Sequence, residues 1–365
     1  MNLWLGFLFV VLGAVCGGSF GLPSKFARKN TPWEVLWGPF FLFVTILIPL
    51  TLGPLSAKGL FATVASAGLA GVAPVLVFGL LWGLGSMTLG MSFAFIGLSL
   101  AYAINYGAQI ACGSMVPLAL HHADQILTPR GTVVMAGVAV CLLGVVIAGR
   151  AGILRDRRVA DAAPPDSAGT APKPKMAIGL VVAFLSGILC ACYAIAFSYG
   201  GEVMTVSQKA FGNPVWRSTF VVTALVLWGG AVSSCTYCGV QLVRKGTWRR
   251  FADVGLARLL GLALAMAVLH DGAILFWGLG VANLGDLGVS VGYAAFMSLA
   301  IIVGNVHGFR TGEWKGASRK SIRWIVVGIA VLVIGVCVLA KGNAMPRGAP
   351  AEPPEAAETT GGSDR

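Results

Sequence analysis

The chain has 365 residues, of which 57% are apolar and only 11% charged, and its formal net charge is +12. A soluble domain carries about a quarter charged residues, so a fully water-facing globule is excluded and lipid must solvate much of the surface. A nucleic-acid binder is excluded as well: it would gather its Lys and Arg on one polar face, whereas here they sit in the short gaps between apolar runs.

A membrane-crossing helix takes roughly 20 mostly apolar residues. Ten such stretches follow one another, at about 3–22, 34–53, 74–95, 98–120, 131–150, 176–198, 215–240, 257–281, 287–308 and 323–341. The first has neither a basic lead nor a small-residue cleavage site, so it is expected to be a retained helix and not a signal peptide. The stretch 59–72 is apolar but short and rich in Gly and Ala, and reads as a loop or interfacial segment. Residues 155–175, with Arg155, Asp156, Arg157 and Arg158 before a Pro/Ala/Lys run, read as a polar linker. Residues 342–365, poor in large apolar groups, read as a disordered tail. The expected organisation is an all-α polytopic membrane protein: five helices in 1–154, the linker, five helices in 176–341, and the tail.

Lys and Arg concentrate in the odd-numbered gaps, for example Lys25, Arg28 and Lys29 in the first and Lys315, Arg319 and Lys320 in the ninth; the third gap has none. The positive-inside rule then places the odd gaps in the cytoplasm and both termini outside, in a bacterial inner membrane.

The two halves carry matching text in the same order. Trp82-Gly83-Leu84-Gly85 with Gly90 is matched by Trp277-Gly278-Leu279-Gly280 with Gly285. Gly97-Leu98-Ser99-Leu100-Ala101-Tyr102-Ala103 is matched by Gly288-Val289-Ser290-Val291-Gly292-Tyr293-Ala294, and Gly137-Val138-Ala139-Val140 with Gly144 by Gly328-Ile329-Ala330-Val331 with Gly335. Because each half holds an odd number of helices, the second must enter the membrane from the opposite side. Two inverted five-helix repeats are a common plan of secondary transporters, with the substrate near the midplane between the halves. The 50 glycines suit helix association in lipid, which rests on close packing of small residues.

Polar groups inside apolar spans are costly and mark function. Tyr102, Asn105, Tyr106 and Gln109 fall at i, i+3, i+4 and i+7, one helical stripe. Rings and amides together suit a sugar, whose C–H faces pack on aromatics while its hydroxyls bond to amides. The repeat contributes Ser290, Tyr293 and Met297. The alternative is that these groups only tie helices together. His270-Asp271 falls near the midplane, about 13 residues past Arg258. A carboxylate buried there can take and release a proton near neutral pH, with His270 as neighbour or relay; the alternative is a structural hydrogen-bonding group. Glu34, between Trp33 and Trp37 and after Lys25, Arg28 and Lys29, could gate the inner mouth or carry a proton, or simply pair with nearby cations. Asp286 reads as a helix N-cap and Glu202 as a loop charge. His121 and His122, being adjacent, do not share a helix face and suggest no metal site.

The 8 cysteines lie almost wholly within apolar runs; Cys235-Thr-Tyr-Cys238 has the spacing of a metal or redox pair, but the surrounding run favours small packing residues. No nucleophile–base order, phosphate-cradling loop or zinc-binding His pair is present in the sequence. Neither an enzyme nor a cofactor is expected, and transport must be secondary or facilitated.

Several segments resemble the L-rhamnose–proton symporter family of the drug/metabolite transporter superfamily: Phe20-Gly21-Leu22-Pro23-Ser24-Lys25 with Trp33-Glu34-Val35-Leu36-Trp37; Phe78-Gly79-Leu80-Leu81-Trp82-Gly83-Leu84-Gly85 with Gly90, Gly97 and Ser99; Arg150-Ala151-Gly152; and Gly312-Glu313-Trp314. The resemblance implies ten helices in two repeats and import of a deoxyhexose with protons. It points to Glu34 for the proton, since that residue stands in the family motif. It does not point to Asp271, because the eighth run departs from the family, which is more aromatic there and lacks this His-Asp pair. The expected partners are therefore a sugar, protons and membrane lipid. A metabolite or drug exporter of the same superfamily, or a non-transporting membrane sensor or enzyme, are the alternatives.

Overall fold

The computed structural model describes residues 2–28, 30–96, 98–161, 176–253 and 255–346. Within them the chain forms α1 (Leu3–Ser19), α2 (Trp33–Leu42), α3 (Ile48–Ser56), α4 (Leu60–Ile96), α5 (Leu98–His121), α6 (Pro129–Asp161), α7 (Met176–Ser198), α8 (Gly201–Phe211), α9 (Val215–Arg244), α10 (Arg250–Asp253), α11 (Leu256–Leu284), α12 (Gly288–Arg310) and α13 (Arg319–Ala344). Short 3-10 turns follow α1, α5 and α9. Nine segments among the described residues are long and apolar enough to cross a membrane. The 24-residue α5, which carries the polar stripe, is not one of those nine.

Local chemistry sets the boundaries. The Asn2 side chain accepts a hydrogen bond from the Leu5 amide and starts α1, and Ser318 accepts from the Ser321 amide and starts α13; each satisfies an orphan donor of a first turn. The second apolar run is a helix broken by a π-helical turn at Phe43–Leu47, so that α2 and α3 form one segment. Pro39 within α2 and Pro49 at the start of α3 each withhold an N–H from the ladder around that turn.

Several expectations need correction. The stretch 59–72 is not a loop: from Leu60 it is the first part of α4, which bends at Gly68, a residue with φ of 66°. A positive φ is cheap only without a Cβ, so the glycine that made the stretch look loop-like instead lets two helical stretches join end to end. The start of the expected linker is helical, because α6 continues to Asp161; 162–175 lies outside the described residues. The expected tail begins within α13, which runs to Ala344; 347–365 lies outside the described residues. Glu202 is in the first turn of the short helix α8 and not in a loop. Asp286 is not the N-cap residue of α12, a position held by Leu287, and lies 3.9 Å from Arg130.

Close approaches at glycines fix the directions of neighbouring helices. Gly137 and Gly144 of α6 face Leu339 and Leu332 of α13, and Gly328 and Gly335 of α13 face Ala148 and Cys141 of α6. Residue numbers rise along one helix as they fall along the other, so the two are antiparallel. The sequence match that lays Gly137 on Gly328 also turns the first pair of contacts into the second. The same reasoning makes α1 and α11 antiparallel (Gly6 against Leu284, Gly13 against Ala273), and α4 and α7 antiparallel (Gly85 against Leu189 and Cys190, Gly179 against Phe95 and Ile96). By contrast α1 and α12 are parallel (Gly17 against Phe296, Gly18 against Val303), as are α5 and α7, where Asn105 meets Ser186 and Ala101 packs with Ala183. Since α5 is antiparallel to α12 (Gly113 against Tyr293, with Tyr106 and Ala300 beside the same cavities), the Trp82 helix α4 runs opposite to the Trp277 helix α11.

Candidate transport site

Helices α1, α4, α5, α7, α11 and α12 enclose a central cavity of about 640 Å³ including its mouth. Its walls are chiefly aromatic. Trp82 of α4 and Trp277 of α11, the two repeat-matched tryptophans, both pack against the Tyr193 ring of α7, at 5.8 and 5.6 Å between centroids. Tyr293 of α12 completes the cluster at 5.6 Å from Trp277.

The polar stripe of α5 splits by depth. Tyr293 donates its hydroxyl to Gln109 Oε1 at 2.7 Å, Gln109 Nε2 donates to Asn105 Oδ1, and Asn105 Nδ2 donates to Ser186 Oγ of α7 at 2.7 Å. This chain ties α12, α5 and α7 together. Gln109 and Tyr293 border the cavity, but Asn105 does not. Asn105, expected on the cavity wall, instead spends its amide on Gln109 and on Ser186 of α7. Ser290 is buried and lines neither cavity. Gln109 keeps one N–H and one lone pair beyond these bonds, which a hydroxyl in the cavity can use.

A second cavity lies next to the first and shares Gly17, Tyr106 and Ala300 with it. Tyr102 lines only this outer vestibule, 5.1 Å from the Tyr106 ring. At its mouth the Lys25 ammonium pairs with Glu313 and donates to Thr311 Oγ1 at 3.1 Å. Arg155 lies 3.7 Å from Glu313 and stacks over Trp314 at 5.0 Å. This is the cation-rich end of the molecule: Arg258 donates to the Phe26 carbonyl at 2.9 Å, and Arg150 covers Trp324 at 4.5 Å. At the other end the Asn213 side-chain amide accepts from the Lys58 backbone N–H and donates to the Lys58 carbonyl, while Arg130 reaches Asp286 and the Asn343 carbonyl.

The three candidate proton carriers separate. His270 borders the central cavity with its ring 5.5 Å from Phe20, 5.7 Å from Phe40 and 5.7 Å from Trp82. Its Nδ1 is 3.2 Å from Asp271 Oδ1, and Asp271 Oδ2 is buried without a hydrogen-bond partner. The two side chains are only 15% and 11% exposed. Glu34, 2% exposed, borders neither cavity. It accepts from Thr247 Oγ1 at 2.8 Å and from Lys245 Nζ at 3.2 Å, clamping the start of α2 to the end of α9. Its partner is thus Lys245, distant in sequence, and not the preceding Lys25 or Arg28. Reading along the chain missed Trp82, Tyr193 and Trp277 as site residues; a Trp in an apolar run looks like packing until two of them meet one Tyr. The repeated Trp-Gly-x-Gly text was the available signal.

The family model of the L-rhamnose-proton symport protein matches residues 1–345. The chain belongs to this family. Family members named L-rhamnose-proton symporter from Pectobacterium atrosepticum, Yersinia pestis and Citrobacter koseri are each 25% identical to it, over 93% of this chain and 98% of theirs. The rhamnose symporter family thus spans every described helix of the chain.

Proposed function

We propose that the protein is a proton-coupled importer of L-rhamnose or a closely related sugar, a multi-pass protein of the bacterial inner membrane working by alternating access. One observation carries this reading: an aromatic chamber with hydrogen-bonding groups on one wall and a buried His–Asp pair on another, opening through a vestibule at one end of the bundle. A deoxyhexose offers a methyl group and C–H faces to Trp82, Tyr193 and Trp277, and hydroxyls to Gln109, Tyr293 and Tyr106. Asn105 positions Gln109, and Ser290 packs behind. The sugar stays neutral, so the energy for accumulation enters as a proton on His270–Asp271, while Glu34 holds α2 in place.

We take α5 as the tenth crossing, with its polar stripe turned to neighbouring helices and not to lipid. The antiparallel run of the sequence-matched helices α6 and α13, and of α4 and α11, supports two inverted halves, 1–154 and 176–341. The cation-rich end is then cytoplasmic by the positive-inside rule, both termini are outside, and the state described is inward-facing. Uptake into proteoliposomes tests the reading: L-rhamnose should accumulate only with an inwardly directed proton gradient. Equilibration of the sugar without accumulation under that gradient, or resistance to a drug in place of sugar uptake, would overturn it.

A further inference from the structure

The ring of Trp82 borders two different sites at once. On one side it packs against Tyr193 within the cage that faces the central cavity; on the other it lies 5.7 Å from the His270 ring, tilted by 41°. Trp82 is almost wholly buried and wedged by its six-membered ring against Gly230 of α9, so it cannot move for one neighbour without the other. The matched tryptophan Trp277 packs against Tyr193, Phe197 and Tyr293. Of the two matched tryptophans, Trp82 thus packs both on the cage and on the His270 ring.

We propose that Trp82 is the positioning residue that couples sugar occupancy to protonation of the His270–Asp271 pair; this rests on the transport reading above. An aromatic face attracts a cation within about 6 Å of its centroid, Trp most strongly. All three rings around His270 meet that distance; Phe20 and Trp82 both border the cavity, and Trp82 is the one of the three that also packs against Tyr193. When sugar packs on the cage, it fixes the indole over His270 and displaces water from the cavity side of the imidazole, so the charged ring is held by the indole and by Asp271. The imidazole takes its proton from water on the outer side and returns it to water in the vestibule, with no other bond changed. The other titratable groups on the packed elements are few. Tyr193 on α7 and Tyr293 on α12 are phenols and Cys16 on α1 is a thiol, and none of the three is the partner of Asp271. α4 brings only Ser86, α2 brings Phe40 while its Glu34 is bound to Lys245 and Thr247, and Lys25 in the turn after α1 is bound to Glu313.

Coupling is reciprocal, so it can be read from binding alone. Titrate L-rhamnose calorimetrically into the purified full-length protein at pH 6 and pH 8. Wild type should bind more tightly at pH 6 by at least about fivefold, the lower end of ordinary coupling. Trp82→Leu should bind more weakly at both pH values, with a ratio close to one, and Trp82→Phe should give an intermediate ratio. A wild-type ratio retained in Trp82→Leu reduces Trp82 to a cage wall and overturns the proposal. Should Trp82→Leu fail to fold by size exclusion, Trp82→Phe decides, and an unchanged ratio there overturns it equally. Failure of the underlying reading looks different: the ratio is then absent in wild type, or survives in His270→Gln.

Discussion

Glu34 and Asp271 show how the same residue type takes opposite roles through its partners. The Glu34 carboxylate has both oxygens engaged, by Thr247 and Lys245, whereas Asp271 has one oxygen facing His270 and the other buried with none. A carboxylate whose charge is fully compensated has little reason to exchange a proton; one left half-satisfied gains by binding it. Asp271→Asn and His270→Gln are therefore expected to abolish accumulation against a gradient while sugar counterflow, which needs no net proton movement, continues. Glu34→Gln should keep gradient-driven accumulation and lose thermal stability, since hydrogen bonds to a charged group contribute about 1.5–3 kcal/mol. Loss of accumulation in Glu34→Gln, at normal protein level, would reverse the assignment. Tyr293→Phe removes the donor to Gln109; a bond of about 1 kcal/mol corresponds to a roughly fivefold higher KM for uptake. The sequence alone marked His270, Asp271, Tyr106, Gln109 and Tyr293 as polar groups within apolar runs, because lipid makes such groups conspicuous. It did not reveal that Asn105 bonds to Ser186 and Gln109, because helical spacing tells which face a residue is on but not which neighbour waits there.

At the scale of elements, the pairing of α6 with α13 is built from backbone contact. A Cβ at Gly144 would lie 2.9 Å from the Leu332 amide nitrogen, and one at Gly328 2.9 Å from that of Ala148. Backbone cannot swing aside as a side chain can, and lipid offers no hydrophobic drive to hold a loosened pair. Gly144→Val is expected to lower stability by about 1–3 kcal/mol, the usual cost of overpacking, read as an earlier thermal transition in detergent. The exposed Gly261, with no atom near its would-be Cβ, serves as the control: Gly261→Ala should melt like wild type. The spacing of Gly137, Gly144, Gly328 and Gly335 was visible in the sequence, but not that these two helices face each other. Nor was α8, whose polar residues resemble a loop. The bend at Gly68 was hidden for a related reason, since composition cannot separate a glycine that ends a helix from one that turns it.

For the whole molecule, alternating access requires that the seam at one end open as the other closes. In the state described, the vestibule reaches the cation-rich end, and the opposite end is joined where α6 meets the turn between α11 and α12. There the buried Arg130 lies 3.9 Å from Asp286, and Asn343 donates to the Leu284 carbonyl at 3.0 Å. If these contacts exist only while the outer end is shut, weakening them raises the share of the outward-open form by the free energy they contribute to the closed one. Asn305, on the vestibule wall, reports which form is present. Asn305→Cys should react with a membrane-impermeant maleimide quickly in inside-out vesicles and slowly in right-side-out vesicles. Adding Arg130→Ala should slow the first reaction several-fold, because a larger fraction of molecules then has its vestibule closed. Each 1.4 kcal/mol withdrawn from the seam shifts the ratio of forms tenfold, so even one ion pair is enough to see. An unchanged rate in vesicles of normal protein content would mean that Arg130 serves packing alone and that the seam opens elsewhere, at Lys58 and Asn213.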